Sequence, residues 1–207
     1  MAHVPASERR PQLVQAAIDL MAREGIAAGS TRAIAAELGV AQATVHYTFG
    51  TKKDLYRAVI EQLTSEVIAQ VRASAPAEGP FGEQIRTMVY ALWDSTVGES
   101  DKCALMNEFA ALAMRDPDLQ EIMRALQHEM ESTATELLTG LSAAHAQPLA
   151  LPAHEIAVHF LAGFDGLTER YLVFKATGEQ SREESLRALD LLVATTIGLC
   201  LGTAAQP

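Results

Sequence analysis

Residues 29–56 read GSTRAIAAELGVAQATVHYTFGTKKDLY, and this stretch decides the fold. Ser30 or Thr31 can cap a helix, because a hydroxyl there accepts a bond from an orphan backbone N–H. Ala33 to Leu38 then makes a turn and a half, with Ile34, Ala35 and Leu38 on one face. Gly39 can take the left-handed conformation that ends a helix. Ala41 to Tyr47 forms the next helix with Val45 turned inward, and Thr51-Lys52-Lys53-Asp54 opens a third through a capping box. Two short helices joined by a glycine-containing turn make a helix-turn-helix, whose second helix enters the major groove of DNA.

The run T-R-x-I-A-x-x-L-G-V-A-x-x-T-V-H-Y-x-F-G-T-K-K-D-L resembles the DNA-binding domain of the tetracycline-repressor (TetR) family of bacterial transcription regulators. The match extends from about Leu13 to Val59, a quarter of the chain. Its most specific part is Tyr47 followed by Phe49-Gly50-Thr51-Lys52, against the family's Y-x-x-F-x-[ST]-K. His46 stands where the family most often has tyrosine, and Thr48 replaces a frequent Tyr or His.

Outward from this stretch, apolar residues recur at helical spacing and alternating strand patterns are hard to find. The expectation is an all-α protein of about nine helices. Its domains would be a helix-turn-helix head over residues 1–56 and a helical ligand-binding and dimerisation body over residues 57–207. Residues 1–8 read as a loose arm, with Pro11 near a helix start. A helix to about Glu24 places Leu13, Val14, Ala17, Ile18 and Met21 inward. Asp116-Pro117 restarts a helix in the body, and Gly-, Ala- and Pro-rich residues 140–152 read as a loop. Two long helices close the chain, at about 152–177 and 181–202, the second opened by a Ser181-x-x-Glu184 box. Both carry apolar residues on more than one face, so both need covering on all sides. A four-helix interface with the same pair of a second subunit would cover them, with Gly163, Gly166, Gly198 and Gly202 allowing close approach. The resemblance implies the same mode of homodimer.

The chain has 207 residues, 49% of them apolar, and a formal charge of −10. Residues 1–57 hold seven Lys/Arg against five Asp/Glu, so the remainder carries −12. This asymmetry expects a small surface for polyanions on an otherwise acidic body. Cys103 and Cys200 form no framework and read as two buried free thiols in a reducing cytoplasm. No signal peptide is visible, and the uncharged run from Leu191 is short for a membrane span.

Candidate DNA-binding residues follow from the fold. Lys52 and Lys53 at a helix start, with the Tyr47 hydroxyl, suit phosphates. Gln42 and Thr44 offer polar groups to bases, Ala43 suits a thymine methyl, and His46 can donate to either. Thr31 and Arg32 reach the flanking backbone or a base edge, while Phe49 reads as core. The resemblance also places a small-molecule pocket among the helices between residues 52 and 139. Its candidate lining is Met88, Leu92, Trp93, Met106, Phe109, Ala110 and Met123, with Phe164 from a closing helix and Glu108 for a cationic or hydroxylated ligand.

Enzyme readings fare poorly. His154-Glu155 and His159 are spaced H-E-x-x-x-H, one residue too long for the zinc helix motif. There is no G-x-S-x-G, no phosphate-binding glycine loop and no His/Cys ligand set, so no cofactor or metal is expected. The expected function is a cytoplasmic regulator that binds a palindromic DNA operator as a homodimer and is released by a small lipophilic effector. The resemblance implies that the ligand acts by rotating the helix from Thr51 to Arg72, changing the spacing of the two heads. The alternatives are an activator, a repressor without ligand, or a helical ligand-binding dimer that binds no DNA.

Overall fold

A computed structural model describes residues 6–76, 78–179 and 182–203. These form nine α-helices and one 3₁₀ turn, with no strand among the described residues. The helices are α1 (Ala6–Glu24), α2 (Thr31–Leu38), α3 (Gln42–Phe49), α4 (Lys52–Ser74), α5 (Phe81–Gly98), α6 (Ser100–Ala113), α7 (Pro117–Ala144), α8 (Ala153–Thr177) and α9 (Arg182–Leu201). The 3₁₀ turn, Ile26–Ala28, connects α1 to α2.

Two boundaries and the burial of one thiol differ from expectation. α1 begins at Ala6, so Ala6 to Glu8 are helical and Pro11 lies inside the helix rather than at its start. The proline's missing N–H leaves only a carbonyl near the helix start without its partner, and Pro11 itself is exposed. α7 continues through Gly140 to Ala144, shortening the loop expected over residues 140–152. Leu141 packs on the apolar core there, and such packing outweighs the propensity cost of one glycine. Of the two thiols, only Cys200 is buried, and burial pushes it up to about 11; Cys103 is half-buried. Residues 1–5 of the expected arm and Ser181 of the expected capping box lie outside the described residues.

The chain forms two compact units. One comprises the residues up to Glu66 together with Glu99–Leu126; the other comprises Val67–Gly98 and the residues from Gln127 onward. The boundary expected at residue 56 thus falls within α4, and the first unit takes in α6 and the start of α7.

The first unit is centred on fully buried Leu13, Ile18 and Met21 of α1, Ile34 of α2, Val45 of α3, Leu55 and Ile60 of α4, and Leu105 and Phe109 of α6. Phe109 meets Tyr56 edge-on, with ring centroids 5.1 Å apart. Met21 passes beneath Gly29 so closely that a Cβ there would lie 2.0 Å from its Cε. Only glycine fits.

In the second unit, Trp93, Ile156, Leu189 and Val193 are fully buried. Trp93 stands edge-on to Phe164 at 6.1 Å and to Tyr171 at 5.6 Å. α8 packs on α9 through Gly163, where a Cβ would lie 2.7 Å from Leu192 Cδ1. Gly166 has open space in the same test and does not serve the α8–α9 contact within the chain. Asp190 of α9 accepts hydrogen bonds from Arg86 and from the Tyr90 hydroxyl of α5, each at 2.7 Å. That bond to a carboxylate holds the Tyr90 phenol above its ordinary range.

Candidate nucleic-acid interface

The reading element is built by local caps. Ser30, not Thr31, caps α2: its Oγ accepts the Ala33 N–H at 3.2 Å. Gly39 ends α2 in the left-handed region at φ 67°, and its N–H bonds back to the carbonyls of Ala35 and Ala36. α3 then buries Val45 and Phe49 and leaves Gln42, Ala43, His46 and Tyr47 exposed, with Thr44 half-buried. Tyr47 is 92% exposed. At the end of α3, Thr51 caps α4 by accepting the Asp54 N–H at 3.1 Å. Its hydroxyl donates to Asp54 Oδ2 at 2.6 Å, closing the box through the side chain.

The structure brings most of the sequence-predicted DNA-binding residues to this one element. Gln42 Nε2 donates to Thr31 Oγ1 at 3.1 Å, tying the start of α3 to the start of α2. Arg32 is exposed. Lys52 is exposed at the start of α4, its ammonium 5.0 Å from the Tyr56 ring centroid.

Lys53 is placed differently. Its Nζ donates to Asp118 Oδ1 at 2.8 Å and Glu121 Oε2 at 3.0 Å, both on α7. These carboxylates hold the Lys53 ammonium above its ordinary range, and Lys53 in turn holds Glu121 below the usual carboxylate range. A residue the sequence did not single out is Arg10 of α1, whose guanidinium stacks over Phe49 at 5.7 Å.

Charge shows why counting along the chain misleads. The residues up to Glu66 hold seven basic and seven acidic side chains, and Glu99–Leu126 holds three and six, so the folded unit carries −3. Any attraction for polyanions is confined to the exposed basic groups around α3 rather than spread over the unit.

In the second unit, an apolar cavity of about 80 Å³ lies between α4, α5, α7 and α8, with Thr196 of α9 at its edge. Of the candidate lining residues Met88 and Leu92 lie on it, together with Val67 and Val71 of α4, Met130 and Leu137 of α7, and Phe160 of α8. Among the described residues no charged side chain lines it. Trp93 and Phe164 are buried in the surrounding core without lining the cavity. Met106, Phe109 and Met123 belong to the first unit's core, and Ala110 is half-buried on α6 of that unit. Glu108 does not line the cavity: it lies exposed on α6 of the first unit, and its Oε2 accepts the Ile26 N–H at 3.0 Å. Val67 and Val71, which the sequence did not single out for the cavity, share one face of α4 at i, i+4 spacing, a signal that could have found them. Among the described residues no group of three or more His, Cys, Asp or Glu is placed to hold a metal ion, and no helix is long and apolar enough to cross a membrane.

Residues 13–59 match the family described as "Bacterial regulatory proteins, tetR family", and residues 80–198 match "BetI-type transcriptional repressor, C-terminal". The chain belongs to the TetR family. It is therefore a DNA-binding transcriptional regulator, and the first match spans the reading element just described. Among TetR-family relatives, the nicotine-responsive transcriptional repressor HdnoR of Paenarthrobacter nicotinovorans is 27% identical over 168 residues, covering 79% of this chain and 84% of that protein. An HTH-type transcriptional repressor of Mycobacterium tuberculosis is 31% identical over 159 residues, covering 70% and 77%. A Saccharomonospora viridis regulator, solved in complex with choline, superposes with a TM-score of 0.72 at 20% identity, covering 91% of this chain and 96% of that one. TetR-family members are transcriptional regulators rather than enzymes.

Proposed function

We propose that this TetR-family regulator is a cytoplasmic repressor that binds a two-fold operator as a homodimer and leaves it on taking up a small, uncharged, apolar ligand. The observation that carries the DNA-reading half is α3 itself. It is anchored by buried Val45 and Phe49, and it presents Gln42, Ala43, His46 and Tyr47 outward with no core to serve. Thr31, Arg32 and Thr44 flank that face, and Lys52 supplies the backbone contact. Lys53, engaged by two carboxylates, supplies none.

Dimerisation is typical of the family, and Val158 and Val173 of α8 with Leu191 and Leu201 of α9 are exposed in the single chain. A second copy would cover them, and its α3 would then meet a major groove about 34–36 Å away or at a multiple of that spacing.

The ligand's character follows from the cavity wall. A charged ligand enclosed there would lose its hydration without gaining a partner. The nicotine named for HdnoR and the choline bound by the Saccharomonospora regulator are amines or ammonium compounds. The wall formed by Met88, Leu92, Val71 and Phe160 favours a different chemistry. Release would run through α4, a single helix that contributes residues to both units.

The test is selection of bound sequences from a random duplex pool by the purified protein at moderate salt. Recovery of one palindromic site supports the reading. Sequences with no common pattern would overturn it and favour a helical ligand-binding dimer that reads no DNA. With the site in hand, release by apolar but not by cationic small molecules tests the ligand class.

A further inference from the structure

The three-residue turn between α1 and α2 begins without a cap of its own. Gly25, at φ 84°, breaks α1 and turns its N–H back to the Met21 carbonyl at 2.7 Å. The next amide, Ile26 N–H, heads the turn, and glycine offers it no side-chain acceptor. The acceptor comes from α6, 82 residues later: Glu108 Oε2, at 3.0 Å. Both carboxylate oxygens also lie beside Gly25, where a Cβ would sit 3.5 Å from Oε2 and 3.6 Å from Oε1.

We propose that Glu108 is a positioning residue for operator recognition, holding the α1–α2 turn so that α2 and α3 present their reading face in register. The inference rests on the DNA-binding function and deepens it. A carboxylate accepting a backbone N–H at the head of a turn is a charge-assisted bond, stronger than a neutral one. From that amide the constraint continues through short contacts. Ile26 is buried, Gly29 is seated on Met21, and Ser30 caps α2. Thr31, the first residue of α2, then holds Gln42, the first residue of α3. Glu108 is not itself on the exposed face of α3, so it acts on DNA only through this turn.

The test compares wild type, Glu108→Gln and Glu108→Ala as full chains. Two things are measured: affinity for the selected operator and for an unrelated duplex, and amide hydrogen exchange at Ile26 and through α2. The alanine variant is expected to lose about tenfold in operator affinity, with the unrelated-duplex affinity and its salt dependence unchanged. The glutamine variant keeps an acceptor oxygen in place and is expected to stay within about threefold of wild type. Exchange at Ile26 should speed up in the alanine variant and remain slow in the glutamine variant. Should the alanine chain fail to fold, Glu108→Asp, one methylene short of Ile26, carries the same comparison. Operator affinity unchanged in the alanine variant, an equal loss on both duplexes, or no rescue by glutamine would overturn the proposal. If wild type selects no operator, the DNA-reading proposal fails by itself. The exchange at Ile26 still decides whether Glu108 holds the turn.

Discussion

The unit that reads DNA and the unit that holds the cavity are both helical and both apolar inside, but the reading element and the cavity wall are finished in opposite ways. In the first, charged and polar groups reach across helices to single partners: Glu108 to the Ile26 amide, Asp118 and Glu121 to the Lys53 ammonium, Gln42 to the Thr31 hydroxyl. In the second, the wall between α4, α5, α7 and α8 offers only apolar surface and leaves about 80 Å³ unfilled. A DNA duplex has fixed groove spacing and demands a reader held in one geometry. A small ligand needs room and side chains, such as Met88 and Met130, that repack cheaply. Directional contacts suit the first task and an under-filled apolar wall the second.

Core truncation breaks the comparison most strongly. Phe109→Ala, removing a fully buried ring against Tyr56, is expected to cost about 3–5 kcal/mol, whereas Leu92→Ala beside the cavity should cost about 2 kcal/mol. Denaturant unfolding of both variants measures the gap, and equal losses would deny that the two cores differ in packing. Filling the void is the next effect. Ala134→Leu on the cavity wall is expected to raise stability by about 0.5–2 kcal/mol and to abolish uptake of xenon followed by NMR. Strain and a lowered melting temperature would show that the space is already taken up in solution.

The two adjacent lysines sharpen the contrast within the reading unit. Lys52→Ala should reduce the slope of log affinity against log salt by about 0.9, one phosphate contact, and Lys53→Ala should leave it unchanged. Equal slopes for the two variants would return Lys53 to the DNA. The smallest effect is in pH. Glu121 is held below its ordinary value, so its contribution is present above about pH 4.3 and lost as pH falls through the lowered value. Lys53 is held above its own, so its contribution is present below about pH 10.4 and lost as pH rises through the raised value. The melting difference between wild type and Lys53→Met should therefore be flat from about pH 5 to 9. The difference should shrink outside that window, toward acid and toward alkali, and a difference that does not shrink there would show the pair unformed.

Much of this was legible wherever the cause is local. Gly39 ending α2, Asp116 capping α7 through the Asp118 and Leu119 amides, and Val45 buried on α3 all rest on neighbours a few residues away. The misplaced features have distant causes. Gly140 was read as a break because its helical penalty is local, while the packing of Leu141 that overrides it is not. Lys53 has a phosphate-binding context in sequence, and its two carboxylates arrive from 65 and 68 residues away. Glu108, next to Phe109 in a stretch rich in Met and Ala, suggested a ligand because the amide it serves is 82 residues upstream. Of the nine candidate lining residues only Met88 and Leu92 lie on the cavity. Its remaining wall depends on which helices face one another.

The interruption of the reading unit by residues 67–98 has a consequence for how the protein is made and can be taken apart. A ribosome delivers the helix-turn-helix first, but Leu105, Phe109 and Glu108 that complete its interior and its first turn emerge only after the whole of α5. The nascent head therefore waits, unfinished, for its own later segment. An engineer who cuts at residue 60 to graft the DNA reader onto another sensor leaves that segment behind. A working graft must carry Glu99–Leu126 with it, joined by a linker in place of the excised stretch.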